Sequence, residues 1–515
     1  MQDTIENEGE RAVAPRGTPS GSPMRGEAKQ GLTSRLSLFL FIAMVILAPV
    51  PDGSAGQIWV QVWTAAGIIC VVLASYSAMR RADVLLFLGL AIMLAAYGAV
   101  AVLQSISPGP APLATWSQAA ELLQIEIPAR SGSVDGSPLR FLGRPLLASL
   151  LVVAGMAVGK NARASERLVR SFIYSATLLV IIAFIAYLLG IEDFRSNPQG
   201  GALTVFFISK NTSATYLGSA FLAAFALLVT SVKLDRRTAG FRSIGEQLGE
   251  SKGRYAIAVA ALLLLMLLPL TLSRAGVALT FALAAGTILL RMPRRRNQMI
   301  GSGIAILVFV SIIFSLSGDA WLERQTVTGF KSGRTEAYAI MAAATLERPW
   351  LGYGLGSFSL SFSPLRDESI PGAGHFNIGH STPLELAFEG GIPLALTVIA
   401  FSVVVATILL RGAIRRPSDP FILAGLLVGL LGVLHSSIDF SLQIPGYLIV
   451  CLAIVGVGLG RALSPEHRVQ RRRRSIQGGH ESAAEDGQRD GRSGDRKVGI
   501  DGAVVGAKGG SQMEG

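Results

Sequence analysis

The sequence predicts an all-α, polytopic transmembrane helix bundle, and three observations carry that prediction. A mean hydropathy of +0.50, with 50% hydrophobic and 16% charged residues over 515 positions, leaves more apolar surface than a soluble chain can bury. Apolar runs separated by short basic turns fill residues 36–459, and a helix needs roughly 20 such residues to cross the hydrocarbon core. The runs are rich in Leu, Ala, Val and Gly without strict alternation. That excludes outer-membrane barrel strands and leaves helices, which satisfy their backbone polar groups within each segment.

About twelve spans follow from run length. The first six cover residues 36–50, 58–78, 84–103, 141–158, 172–189 and 214–232. The last six cover 255–272, 275–290, 299–316, 392–410, 421–434 and 447–459. The first and fourth are short for a crossing. With the N-terminus placed in the cytoplasm, every turn after an even-numbered span is basic: Arg80 and Arg81, Lys160 to Arg170, Arg236 to Arg242, Arg291 to Arg296, and Arg411 to Arg416. The turns around Asp52, Glu192 and Asp439 are poor in Lys and Arg, as the bias of basic residues towards the cytoplasm requires. Span count and orientation support one another, and both termini fall in the cytoplasm of a bacterial inner membrane.

Three regions result. Residues 1–34 form a polar, Gly/Pro/Ser-rich tail expected to be disordered and too long to be a signal peptide's lead. Residues 35–461 form the membrane domain. Residues 462–515 form a basic tail whose composition cannot bury a core, with Arg471 to Arg474 near anionic headgroups. The net charge of +12 lies in turns and tails, so it reports orientation and lipid contact rather than nucleic acid. Cys70 and Cys451 each sit inside an apolar run and support neither a disulfide framework nor a thiolate metal site.

Two segments assigned to the outer side exceed a turn: residues 104–140, and the loop 317–391 between spans nine and ten. Long loops carry function disproportionately. Residues 116–127 have an apolar face that suits either a helix lying in the interface or packing under the loop. Residues 333–347 form a helix that Arg334 opens, with Pro349 just beyond its end. Arg274, between spans seven and eight, is a second outward arginine. Planar guanidinium groups make paired hydrogen bonds to phosphate oxygens, so both suit a pyrophosphate on a lipid carrier; snorkelling to headgroups is the plainer alternative. Lys210, beside Asn211, adds a further outer cation.

Of the five histidines, His375, His380 and His435 fall outside. His380 lies at the membrane boundary, a place for a base acting on a carbohydrate hydroxyl, or for a loop histidine bonded to backbone. The spacing of His375 and His380, without Cys, does not suggest zinc. Glu385 and Glu389 are four apart, and Asp439 is four beyond His435, yet nothing brackets a scissile bond as a glycosidase requires. Gly352, Gly354 and Gly356 lack a surrounding parallel-sheet pattern, so they predict a flexible turn that admits a large ligand rather than a nucleotide loop.

The order of these motifs resembles the bacterial O-antigen ligase and polysaccharide polymerase superfamily. The resemblance rests on Ser273-Arg274-Ala275-Gly276, Gly333-Arg334, and the run from Arg348 through Pro349, Trp350, Leu351, Gly352 and Tyr353 to Gly354. It continues through His380, Glu385-Leu386 and Glu389-Gly390-Gly391-Ile392, and spans residues 210–445, with Lys210-Asn211 at one end and His435 to Phe440 at the other. Ala275 stands where the family often has Gly, and Ser381 where it often has Asn. The resemblance implies a helical membrane glycosyltransferase at the periplasmic face, using an oligosaccharide on undecaprenyl pyrophosphate without metal or other cofactor. Arg274 and Arg334 would grip the pyrophosphate, and His380 would act on the acceptor hydroxyl. Lys210, Asn211, His435 and Asp439 would contact substrate. The implied acceptor is a glycan or a lipid A core, with membrane lipids and polysaccharide export or chain-length proteins as further partners. The competing expectation is a lipid-linked oligosaccharide flippase or another polytopic transporter, though no repeated halves or charged mid-membrane residues are evident.

Overall fold

The computed structural model describes residues 31–74, 80–106, 114–124, 137–191, 201–231, 251–291, 334–366 and 377–464. Those residues are helical throughout, with no strand among them. In chain order the first eight helices are α1 Leu32–Leu47, α2 Gln57–Leu73, α3 Arg81–Ile106, α4 Ala114–Leu123, α5 Ser137–Phe141, α6 Gly143–Gly159, α7 Ala162–Leu188 and α8 Lys210–Ser231. They continue as α9 Lys252–Leu267, α10 Arg274–Arg291, α11 Arg334–Glu347, α12 Phe358–Phe362, α13 Thr382–Gly390, α14 Ile392–Arg415, α15 Pro420–Ser436 and α16 Pro445–Leu463. Prolines mark several starts, at the first or second helical position of α13, α14 and α15, where the missing amide costs no hydrogen bond.

Eight of the described helices are long and apolar enough to cross a membrane, and α1, α2 and α15 are shorter apolar helices. The expected ninth span, residues 299–316, lies outside the described residues, as do His375, residues 1–30 and residues 465–515; of the expected tails, Leu32 to Ser34 are helical and open α1, and Ala462 and Leu463 are helical and close α16. The twelve expected crossings are therefore not all matched: α1 has 16 residues and α15 has 17, a rise of about 25 Å against a hydrocarbon core of about 30 Å. Pro49 and Pro51 follow the end of α1, and α15 begins at Pro420, so proline sets the length in both cases. The expected helix 333–347 is present as α11. Of the expected segment 116–127, residues up to Leu123 are helical as part of α4, with Leu122 and Leu123 exposed, and residues 125–127 lie outside the described residues.

Packing separates inner from outer helices. The most apolar windows of α8 and α16 are 78% buried, whereas that of α14 is 17% buried and faces outward. The α16 helix lies against α6 through two glycine pairs, Gly155 with Gly456 and Gly159 with Gly460. A Cβ on Gly159 would run into the Val457 carbonyl, and one on Gly460 into the Met156 carbonyl. Close backbone approach through small residues is how helices gain contact where lipid removes most of the hydrophobic drive. Gly159→Leu is therefore expected to destabilise the fold by about 1–3 kcal/mol or more, read as a lower melting temperature in detergent; an unchanged melt would show that this contact is not tight.

Charged residues close one end of the bundle. Asp419, the N-cap of α15, pairs with Arg461 at 2.7 Å, and Arg416 donates to the Arg461 carbonyl. Lys160 pairs with Asp83, Arg80 donates to the Leu463 carbonyl, and Arg291 donates to the carbonyls of Val229 and Pro417. Among the described residues, Arg80, Lys160, Arg291 and Arg416 of the basic turns thus lie at the end of the bundle remote from Lys210, Arg274 and His435.

The segment from α11 to α13 has its own core of Ala337, Met341, Ala344, Tyr353, Phe358, Phe362 and Phe388. Tyr353 stacks on Phe388 with ring centroids 4.6 Å apart, and the Arg348 guanidinium lies over the Tyr353 ring at 4.2 Å from its centroid. The Gly352–Gly356 turn differs from the flexible one expected. Tyr353 and Gly354 donate their amides to the Phe388 and Glu389 carbonyls, and Ile392 donates to Pro349. Gly352 has φ +63° and no room for a Cβ against the Phe388 carbonyl. Gln104 of α3 donates to the carbonyls of Leu351 and Glu389 and accepts from the Leu355 amide. The glycines permit tight docking against α13, and the turn is a strut.

Candidate active site

A cavity of about 340 Å³ opens at the end of the bundle opposite the basic turns, lined by Asn211, Arg274, Arg334, Tyr338, His435 and Asp439 among others. Each lining residue reaches it for a local reason. After α9 a short 3-10 turn, Leu268–Thr271, carries the chain to Leu272 in the left-handed region at φ +53°. The chain reverses there, the Ser273 hydroxyl accepts from the Gly276 amide, and Arg274 becomes the first residue of α10. Gly276 lets α10 approach Ala214 of α8, which brings Arg274 beside Asn211. Arg334 is the first residue of α11, and Tyr338 is one turn further along the same face.

Lys210, Arg274 and Arg334 thus occupy the first positions of α8, α10 and α11. A cation there opposes the helix dipole, at a cost of roughly 0.3–1 kcal/mol each. Three such placements at one end of the bundle concentrate positive potential from both side chains and helix N-termini. Lys210 is half-buried beside the cavity rather than part of its lining.

The other wall is a polar network at the end of α15. His435 is fully buried; its Nδ1 lies 2.9 Å from the Thr215 hydroxyl and 3.2 Å from the Ser441 hydroxyl. The Asp439 carboxylate, also buried, accepts from Ser441 at 3.4 Å and has its other oxygen 3.5 Å from His380 Nδ1. His380 therefore stands at the cavity margin with Asp439 between it and His435. Its ring packs edge-on to Phe440 at 5.1 Å, with Nδ1 turned to the carboxylate. The His380 backbone is in the left-handed region at φ +54°, and its carbonyl accepts from the Tyr338 hydroxyl at 2.6 Å. Burial raises the Tyr338 phenol above its usual range, with Arg334 opposing and Asp439 adding.

Among the residues expected from the sequence, Arg274, Arg334, Asn211, His435 and Asp439 meet in one cavity, His380 adjoins it, and Lys210 flanks it. Tyr338, Thr215 and Ser441 were not anticipated. Tyr338 has a sequence signal in its spacing of four from Arg334, and Ser441 lies close in sequence to Asp439 and His435; Thr215 depends on contacts with segments more than 200 positions away. Among the described residues no group of three or more His, Cys, Asp or Glu is placed to hold a metal ion.

Glu385 and Glu389, both buried on α13, stand behind this site. Glu389 accepts from the Phe358 amide at 2.8 Å. Burial first, and then the charge of Glu385, pushes the Glu389 carboxyl up to about 8; burial raises Glu385 as well. A carboxyl that titrates higher folded than unfolded contributes fully below its unfolded value, and that contribution is lost as pH rises through the native value. The melting temperature of the wild type is therefore expected to fall relative to Glu389→Gln between about pH 5 and about pH 8. Parallel melting curves over that range would show that Glu389 is ionised throughout.

Residues 259–399 match the family described as Wzy_C: O-Antigen ligase. The resemblance to the O-antigen ligase superfamily is thereby borne out. No curated protein matches the chain. The matched segment contains Arg274, Arg334 and His380, while Asn211, His435 and Asp439 lie outside it and are brought to the same cavity by α8 and α15. The apolar helices support a membrane protein, and the matched segment is similar to the O-antigen ligases.

Proposed function

We propose that the chain polymerises or ligates oligosaccharides carried on undecaprenyl pyrophosphate, at the periplasmic face of a bacterial inner membrane, in surface polysaccharide synthesis. The observation that carries this reading is the convergence of Arg274 and Arg334 on one cavity whose opposite wall is His435 and Asp439, with His380 against Asp439. A pyrophosphate leaving group develops charge as the glycosidic carbon–oxygen bond breaks. Two guanidinium groups in a fixed cavity stabilise that charge without reorganising. Asn211 and Lys210 extend the donor side of the same wall.

His380 supplies the other half of the chemistry. With Asp439 beside the ring to support the imidazolium, His380 takes the proton of the acceptor hydroxyl as its oxygen attacks the anomeric carbon from the face opposite the departing pyrophosphate. One attack of that kind inverts the anomeric configuration. The charge on the leaving group is met by arginine, so transfer is expected to persist in a chelator. The separation of the basic turns from the cavity supports a periplasmic site, because the basic end is the one that the positive-inside bias assigns to the cytoplasm.

The test is transfer by purified protein in detergent, with a lipid pyrophosphate-linked oligosaccharide as donor, EDTA present and no nucleotide. A ladder of longer lipid-linked glycans would establish a polymerase. Product formed only after lipid A core is added would establish a ligase. No transfer by folded protein to either acceptor would refute the reading.

A further inference from the structure

We propose, on the basis of the glycosyltransfer reading above, that Glu385 is a positioning residue whose buried carboxylate ties the segment carrying His380 to the turn carrying Asp439. One oxygen makes both bonds. Glu385 Oε2 accepts from the Gly379 amide at 2.7 Å and from Gln443 Nε2 at 2.9 Å. Gly379 is the residue before His380, and Gln443 ends the 3-10 turn Ser441–Gln443 that follows Asp439.

Other bonds also cross between these segments. Ser381 donates to the Ser437 carbonyl at 2.9 Å, Thr382 donates to the Asp439 carbonyl at 3.4 Å, and His380 itself reaches Asp439 at 3.5 Å. Glu385 is the member whose single oxygen makes two bonds of 2.9 Å or less. It is 7% exposed, so the two donors it holds have no water to replace it.

The site needs such a tie for two reasons. His380 is a non-glycine residue at φ +54°, a sparsely populated conformation that persists only where the surroundings hold it. The imidazole and carboxylate belong to elements 59 positions apart in sequence, so their separation is set by whatever fixes one segment against the other. Tyr338 holds the His380 carbonyl from one side, and Glu385 holds the preceding amide from the other. Glu389, one turn along α13, instead accepts from Phe358 and braces the 352–358 turn, so the two buried carboxylates have separate tasks.

Both partners of Glu385 are donors, and an amide oxygen can accept from both. Glu385→Gln therefore keeps the tie, whereas Glu385→Leu cuts it and Gln443→Met cuts it from the other side. The experiment measures kcat with a short-chain polyprenyl pyrophosphate-linked oligosaccharide and, separately, the Kd of that donor. Glu385→Leu is expected to lower kcat about 100-fold, the scale of an ångström's misplacement, with donor Kd within about threefold of wild type. Glu385→Gln is expected to stay within about fivefold of wild-type kcat. Gln443→Met is expected to reproduce the leucine variant's fall, and Glu385→Leu with Gln443→Met to be no worse than either alone, as for groups that act as a unit. If Glu385→Leu does not fold, Gln443→Met carries the same expectations.

A kcat near wild type in the leucine or methionine variant overturns the proposal, as does loss of donor binding in step with rate, or a glutamine variant as impaired as the leucine one. A wild type that transfers no sugar overturns the reading of the cavity and this role with it. An active wild type beside a fully active Glu385→Leu overturns this role alone.

Discussion

Replacing His380 by alanine is expected to lower the rate of glycosyl transfer by about 10²- to 10⁴-fold, the usual contribution of a positioned general base. Donor affinity is expected to change little, because the pyrophosphate is held by the arginine side of the cavity. His380 Nδ1 faces a buried carboxylate at 3.5 Å, which orients the ring at the cavity margin. Asp439→Asn is expected to fall in the same direction, since the amide no longer favours the imidazolium that forms as the hydroxyl loses its proton. Single-turnover transfer with measured donor binding checks both. A His380→Ala protein with wild-type turnover would place the base elsewhere.

Arg274→Ala is expected to cost about 10²- to 10³-fold in turnover, the scale seen when one preorganised partner of a developing charge is removed, and to weaken donor binding as well. Arg274→Lys is expected to restore binding better than rate. A lysine is a point charge, whereas the planar guanidinium can bond two phosphate oxygens at once. The same holds for Arg334, and because both face one cavity, the double variant is expected to lose less than the product of the single losses. Initial rates and donor affinity for the four proteins decide this, and Arg274→Ala with normal transfer would remove the assignment of the pyrophosphate to this cavity.

The sequence made the helical class plain through run length, and it exposed Arg274 and Arg334 because cations at those positions run against the bias of basic residues towards the other side. It also placed Glu385 and Glu389 on one helix by spacing alone. Three features were hidden because they are tertiary. The meeting of Asn211 with His435 and Asp439 depends on α8 packing against α15, which no local pattern encodes. The glycines at 352, 354 and 356 suggested mobility, yet they are there so that the turn can dock on the carbonyls of α13. The number of crossings is not fixed by run length alone, since α1 and α15 are helices of only 16 and 17 residues.

The central claim is that the cavity between Arg274, Arg334, His435 and Asp439 is where a lipid-linked pyrophosphate glycan reacts. The most direct measurement is a cryo-EM structure with a non-hydrolysable phosphonate analogue of an undecaprenyl pyrophosphate-linked oligosaccharide. The account predicts diphosphonate density against both guanidinium groups, with the anomeric carbon turned towards His380. Analogue bound at the basic end of the bundle, or in this cavity with its sugar facing away from His380, would contradict it.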